Sequence, residues 1–165
     1  MPEPFYDPSA ALPPGQPTEI TSGAAQPYEP GYYPGGLDMQ NGRIDLNPGV
    51  YILDGKGLNI TGGDLYAEGC MFFIVDTTSG PPDSNVDIRG GGVLDISAPD
   101  VNEYTYPGSP DITPYAEAGV SIFQARDNTH ESYIKGTADT NIDGTIYMPE
   151  NKIKVVGESI NSLQG

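Results

Sequence analysis

Short triplets, most with apolar first and third residues, recur along this chain in a fixed order. One series runs Leu58-Asn59-Ile60, Val86-Asp87-Ile88, Tyr133-Ile134-Lys135 and Ile153-Lys154-Val155. A second runs Leu65-Tyr66-Ala67, Leu94-Asp95-Ile96 and Ile142-Asp143-Gly144. A third runs Val50-Tyr51-Ile52, Met71-Phe72-Phe73, Val120-Ser121-Ile122 and Ile146-Tyr147-Met148. Alternation over so few residues, punctuated by Gly and Asp, marks strands too short to bury themselves. Each needs a copy of itself above and below, which is the logic of a solenoid.

The spacing agrees. Val50 to Met71 is 21 residues and Leu65 to Leu94 is 29. The longer steps share an insertion between Ala98 and Ala118. A period of roughly twenty to thirty residues suits three strands and three turns per coil. The expected fold is therefore all-β, a right-handed parallel β-helix with three short strands per coil. Asn47-Pro48-Gly49, Asp54-Gly55, Gly62-Gly63 and Gly90-Gly91-Gly92 supply its corners.

Residues 1–36 hold nine of the 17 prolines. They carry Tyr6, Tyr28, Tyr32 and Tyr33 but no alternating apolar run, and read as a disordered Pro-rich arm or linker. The β-helix is expected over 37–165. Leu163 falls 21 residues after Ile142, where the next second-series strand is due, so the chain reads as truncated at its C-terminus. Residues 77–84, 99–115 and 125–132 leave the coil as loops, the last two flanking one strand at 119–124. Residues 115–126 read as strand rather than helix, because Ala116, Ala118, Val120 and Ile122 alternate and Gly119 interrupts.

Charge narrows the function. With 23 acidic against 7 basic residues, the net charge is −16, and that field repels nucleic acid. No apolar run approaches the ~20 residues of a membrane helix, so no membrane insertion is expected of this chain. Met1-Pro2-Glu3-Pro4 offers neither the basic nor the apolar region of a signal peptide. The single cysteine, Cys70, permits no disulfide within the chain. It opens an apolar strand, as a buried inert thiol would.

Catalytic signals are sparse. Asp64, Asp87, Asp95 and Asp143 face outward, but Asp87 and Asp95 fall on different faces of one coil and do not converge. A glycosidase needs two carboxylates at a defined separation. No catalytic residue, cofactor-binding residue or metal ligand is assigned. His130 has no second His or Cys to complete a transition-metal site. Acidic turns offer Ca²⁺ weak binding at most, because no Asp-x-Asp-x-Asp-Gly loop is present. The two flanking insertions gather Tyr104, Tyr106, Tyr115, Arg126, Asp127 and His130 into a candidate contact surface. Tyr and Arg are favoured at protein contact hot spots, and Tyr faces also stack on sugars. The competing reading is that these tyrosines pin a long loop to the coil wall.

Several segments resemble a known family. Residues 48–55 (Pro-Gly-Val-Tyr-Ile-Leu-Asp-Gly), Gly57-Leu58-Asn59-Ile60 and Gly69-Cys70-Met71-Phe72-Phe73-Ile74 look like repeats of bacterial Tad-type (Flp) pilus-assembly TadG-like proteins. Residues 118–126, Ile134-Lys135-Gly136 and 142–149 are similar to later segments of the same family. The resemblance covers 48–165. It implies a structural, non-catalytic domain of a bacterial surface or pilus-associated protein, extracytoplasmic or at the cell surface. A partner would be a protein or a surface polysaccharide. The family supplies no catalytic residues for this region, and its usual N-terminal membrane helix has no counterpart in this sequence. The alternative is a carbohydrate-binding or carbohydrate-active, pectate-lyase-like β-helix protein.

Overall fold

The computed structural model describes residues 2–7, 17–23, 26–77, 83–90, 92–100, 110–136 and 139–157. Its strands are β1 (Gly31–Tyr33), β2 (Leu37–Met39), β3 (Arg43–Asp45), β4 (Gly49–Leu53), β5 (Gly57–Ile60), β6 (Asp64–Ala67), β7 (Cys70–Ile74), β8 (Asn85–Ile88), β9 (Leu94–Ser97), β10 (Val120–Gln124), β11 (Ser132–Lys135), β12 (Thr140–Asp143), β13 (Thr145–Tyr147) and β14 (Ile153–Val156). One short helix, α1 (Thr113–Glu117), precedes β10.

The strands form three sheets, each collecting every third strand. Sheet I is β1-β4-β7-β10-β13, sheet II is β2-β5-β8-β11-β14, and sheet III is β3-β6-β9-β12. All pairings are parallel. The three triplet series correspond to the three sheets, so the order of short strands carried real topological information.

Sharp corners link the sheets. Gly57, which opens β5 at φ +63°, shows why glycine is needed there: a Cβ would lie 2.2 Å from the Asn85 carbonyl oxygen of the next strand in sheet II. No side chain fits under that backbone.

The principal core receives side chains from all three sheets, among them Tyr51, Phe72, Leu58, Val86, Leu65 and Ile96. On sheets II and III Leu58, Ile60, Leu65, Val86, Ile88, Leu94 and Ile96 face inward as expected, whereas Ile153, also expected inward, is exposed on the edge strand β14. Sheet I differs. β4, β7 and β10 are buried along their whole length, because both faces of this sheet are covered. Val50, Ile52, Met71, Phe73 and Val120, expected to point into the principal core, form a second cluster with Ile112, Tyr115 and Phe123. The buried side chains of this sheet in the principal core are Tyr33, Tyr51, Leu53, Cys70, Phe72, Ile74 and Ile122. Where both faces are apolar, alternation cannot say which faces in.

Registers also shift. Ile122 lies beside Phe72 and Phe123 beside Phe73, one place from the triplet alignment. Ile134 lies beside Ile88 and Tyr133 beside Asp87, one place from the triplet alignment. Ile142 lies beside Ile96 rather than Leu94. The 115–126 segment divides: β10 is a strand as expected, but α1 lies just before it, with a Pro in its first turn. Proline suits that position because its missing N–H would be unpaired there anyway.

The expected disordered arm over 1–36 is corrected by packing. β1 pairs with β4 through Gly31–Tyr51, Tyr32–Ile52 and Tyr33–Leu53. Ile20 and Tyr28 are fully buried and bridge Leu37 and Leu46. Prolines break the alternation here, so single buried residues do what a strand does elsewhere. Tyr28, Tyr33, Tyr51 and Phe72 form a continuous inner run of rings, with centroids 6.3, 6.0 and 6.0 Å apart. Their hydroxyls are satisfied by backbone: Tyr51 donates to Asn47 O at 2.7 Å and Tyr33 to Glu29 O at 2.5 Å. Residues 8–16 and 24–25 lie outside the described residues.

Candidate contact surface

The outer face of sheet I carries a column of large side chains in register. Tyr32 pairs with Ile52, Ile52 with Phe73, Phe73 with Phe123, and Phe123 with Tyr147. Phe73 and Phe123 meet edge to face at 5.5 Å, and Phe123 and Tyr147 lie 4.8 Å apart. Parallel strands place equivalent residues directly above one another, so one apolar position per strand becomes a stripe the height of the sheet.

Two pieces of chain cover this stripe. The α1 side chain Tyr115 stands edge-on to Phe123 at 5.5 Å. Residues 2–7 cover the rest: Tyr6 packs edge-on to Phe73 at 5.4 Å and lies 6.3 Å from Tyr32. Pro4 is buried, while Phe5 points away and is 84% exposed. The Tyr115 hydroxyl donates to Pro2 O, and the Arg126 N–H donates to Glu3 Oε1. Burial raises the Tyr6 and Tyr115 pKa values, with carboxylates around each adding to the rise.

The expected contact residues divide accordingly. Tyr104 and Tyr106 lie outside the described residues. Tyr115 is 3% exposed and belongs to the second cluster, so for this tyrosine the loop-pinning alternative describes the packing. Arg126 and Asp127 are exposed beside the seat of residues 2–7. Arg126 Nη2 donates to the Tyr147 hydroxyl at 3.0 Å. His130 turns elsewhere: its Nε2 is 2.7 Å from Asp76 Oδ2, and its Nδ1 is 3.5 Å from Asp83 Oδ2. Tyr115 and Arg126 are brought together through residues 2–7; His130 is held against the segment that follows β7.

The sequence reading missed a buried polar network beneath His130. Gln124 Nε2 donates to Asn128 Oδ1 at 2.9 Å, Ser132 Oγ donates to Gln124 Oε1 at 3.0 Å, and Asn128 Nδ2 donates to Ser84 O at 2.6 Å. The sequence signal was slight: Gln124 ends β10 and Ser132 opens β11, positions where a polar residue is ordinary. A second buried polar group is Asp54, fully enclosed, whose carboxylate accepts from Tyr32 OH at 2.9 Å, Gly55 N at 2.8 Å, Thr77 N at 3.1 Å and Thr77 Oγ1.

The outer faces of sheets II and III are polar and internally paired. Arg43 forks onto Asp45 and lies 4.2 Å over the Tyr66 ring. The hydrogen bonds from Arg43 hold the Asp45 carboxyl below its ordinary pKa. Arg89 bonds Asp87 at 2.6 Å and lies 5.0 Å over Tyr133. Asp87 and Asp95 stand on different sheets, as expected. Among the described residues, no three His, Cys, Asp or Glu side chains are grouped to hold a metal ion. Among the same residues, no helix is long and apolar enough to cross a membrane. Comparisons with protein-family models, with characterised proteins and with solved structures find no match to this chain.

Proposed function

We propose that this chain is a right-handed parallel β-helix serving as a structural, non-catalytic domain of a bacterial surface or pilus-associated protein. The observation that carries this reading is the three-sheet parallel order in which every third strand joins the same sheet. Short connections between such strands favour a right-handed path. Repeated short strands stacked this way make a stiff body whose stability accumulates from neighbour to neighbour.

The outer chemistry supports a scaffold over an enzyme. Asp45 and Asp87 are each engaged by an arginine two residues away, and Asp95 accepts from Asn141 at 2.9 Å. Carboxylates committed to neighbours in this way stiffen a surface rather than act as free acid and base. The resemblance to TadG-like proteins suggests extracytoplasmic placement, with a protein or surface polysaccharide as partner. For the carbohydrate alternative, Tyr66 and Tyr133 are the relevant rings, but Arg43 and Arg89 already occupy a face of each.

The test combines three measurements. Antibody labelling of intact cells should detect the domain at the surface. Incubation with a panel of polysaccharides should give no turnover; turnover abolished by Asp127→Asn would overturn the structural reading. An experimental structure with left-handed or antiparallel strand order would overturn the β-helix.

A further inference from the structure

We propose that the Asn41-Gly42 corner is a self-modification site: the Asn41 side chain cyclises onto the Gly42 nitrogen, loses ammonia, and opens to aspartate and isoaspartate. This goes beyond the scaffold reading and does not rest on it.

The chemistry asks first for a backbone nitrogen that no side chain shields. Asn41-Gly42 is the one Asn-Gly pair in the chain. Gly42 takes φ +77° in the corner between β2 and β3, a conformation that favours glycine there. It asks next for access to water, and Asn41 and Gly42 are both exposed. It asks last for an amide that is free to turn. Asn47, Asn59, Asn85, Asn128, Asn141 and Asn151 each donate through Nδ2 to an oxygen of another residue. Among the described asparagines, Asn41 alone has a side chain without a hydrogen bond, and among the described residues nothing accepts from the Gly42 N–H. The structure thus ties down every other described asparagine and leaves loose the one that glycine follows.

The steps balance without a redox partner. Hydroxide takes the Gly42 amide proton, and the nitrogen attacks Asn41 Cγ. The new N–Cγ bond closes a succinimide ring. The Cγ–Nδ2 bond breaks, and Nδ2 leaves as ammonia with a proton from water, which regenerates hydroxide. Water then opens the ring. Attack at Cγ breaks the new N–Cγ bond and leaves aspartate. Attack at the Asn41 main-chain carbonyl carbon breaks the original peptide bond and routes the chain through Cγ, as isoaspartate. Either product adds one negative charge to the net −16.

The fold makes the two products unequal. Gly63 of the next coil lies against the Asn41-Gly42 peptide, where a Cβ would stand 2.7 Å from Gly42 O and 2.8 Å from Asn41 C. Asp64 N donates to Gly42 O at 2.8 Å. Aspartate keeps this backbone. Isoaspartate inserts a methylene into a corner that has no space for one, so the hydrogen bond at the start of β6 is lost.

The test uses the full-length chain, one portion held folded at neutral pH and one unfolded in guanidinium chloride. Peptide mass spectrometry should place the carboxylate product at Asn41 in the folded chain, at a rate within severalfold of the unfolded one and faster in mildly alkaline buffer. The other described asparagines should stay intact. Isoelectric focusing should show the added charge, and Asn41→Gln should not, because its longer side chain closes the ring far more slowly. An endoproteinase that cuts at aspartate and skips isoaspartate separates the products. Amide exchange at Asp64 should quicken in the isoaspartyl fraction relative to Asn41→Asp. An Asn41 that stays intact in the folded chain would show that the corner holds its side chain away from Gly42, and would overturn the proposal. Conversion at another asparagine ahead of Asn41 would overturn it too. Isoaspartyl protein whose Asp64 amide exchanges as slowly as that of Asn41→Asp would equally end it, because the corner would then absorb the longer backbone.

Discussion

The Tyr32 hydroxyl donates to Asp54 Oδ2 at 2.9 Å, joining the outer face of sheet I to a carboxylate with no exposed surface. Thr77 and Gly55 complete the shell around that carboxylate, so Asp54 ties together β1, the turn after β4 and the segment after β7. A buried acceptor with this many donors is costly to delete, because each donor is left desolvated and unpaired. Asp54→Ala should lower unfolding free energy by about 3 kcal/mol, and Asp54→Asn by less, since one acceptor oxygen survives. Urea unfolding of the three proteins measures this; equal stabilities would show that water replaces the carboxylate.

Alkaline pH should weaken the fold. Burial, with the hydrogen bond to Asp54 second, pushes the Tyr32 pKa up to about 12. Burial also raises Tyr51, Tyr6 and Tyr115. An unfolded tyrosine loses its proton near pH ~10. The folded state thus holds protons that the unfolded state releases, and stability falls with pH. The contribution from Tyr32 is fully present below about pH 10 and is lost as pH rises toward about 12. Unfolding free energies across that window should decline, with a shallower slope for Tyr32→Phe. A flat profile would contradict the buried phenol.

The Pro-rich beginning should contribute to stability. Tyr28 is fully buried, meets Tyr33 edge to face, and exchanges hydrogen bonds with Thr21 through its hydroxyl. Tyr28→Ala should cost about 3–5 kcal/mol, and deleting residues 1–36 should cost more. Unchanged melting on deletion would restore the idea of an independent arm.

Register on β11 separates two adjacent residues. Ile134 is 4% exposed and belongs to the principal core, whereas Tyr133 lies between Arg89 and Lys154 on the outer face. Ile134→Asp should abolish folding, since an unpaired buried carboxylate costs several kcal/mol. Tyr133→Ser should shift stability by no more than about 1 kcal/mol. A larger loss from Tyr133→Ser than from Ile134→Asp would mean the register is the one the triplets suggested.

Gly57→Ala tests the corner into sheet II. Its Cβ would collide with Asn85 backbone, and its φ of +63° disfavours any side chain. A stability loss larger than the about 1 kcal/mol of an ordinary left-handed glycine replacement is expected, read by thermal unfolding. A neutral result would show that the two strands separate readily.

Sheet membership was legible in the chain itself. Alternation, strand length and Gly or Asp punctuation are local, and Leu58, Val86 and Ile153 fell into one sheet because each stands at the same step of the recurring order of strands. The inward faces of sheets II and III were legible for the same reason: Asn59, Asp87, Tyr66 and Asp95 mark the wet side without reference to anything distant. Tertiary structure decided the rest. Val50-Tyr51-Ile52-Leu53 is apolar at every position, so its facing depends on what covers the second face, and that cover comes from Tyr6 and Tyr115, far away in sequence. Ser132 could take an inward place only because Gln124 and Asn151 reach it, which moved the β11 alignment by one residue. Ile20 and Tyr28 belong to the core through single bridges between prolines, too brief for any period to register. The candidate surface followed the same division: its residues were named along the chain, but only packing buried Tyr115, turned His130 toward Asp76, and seated residues 2–7 beside Arg126. Local pattern determines which segments are strands and which share a sheet; burial of a two-sided apolar sheet is a long-range property, settled only by the segments that fold over it.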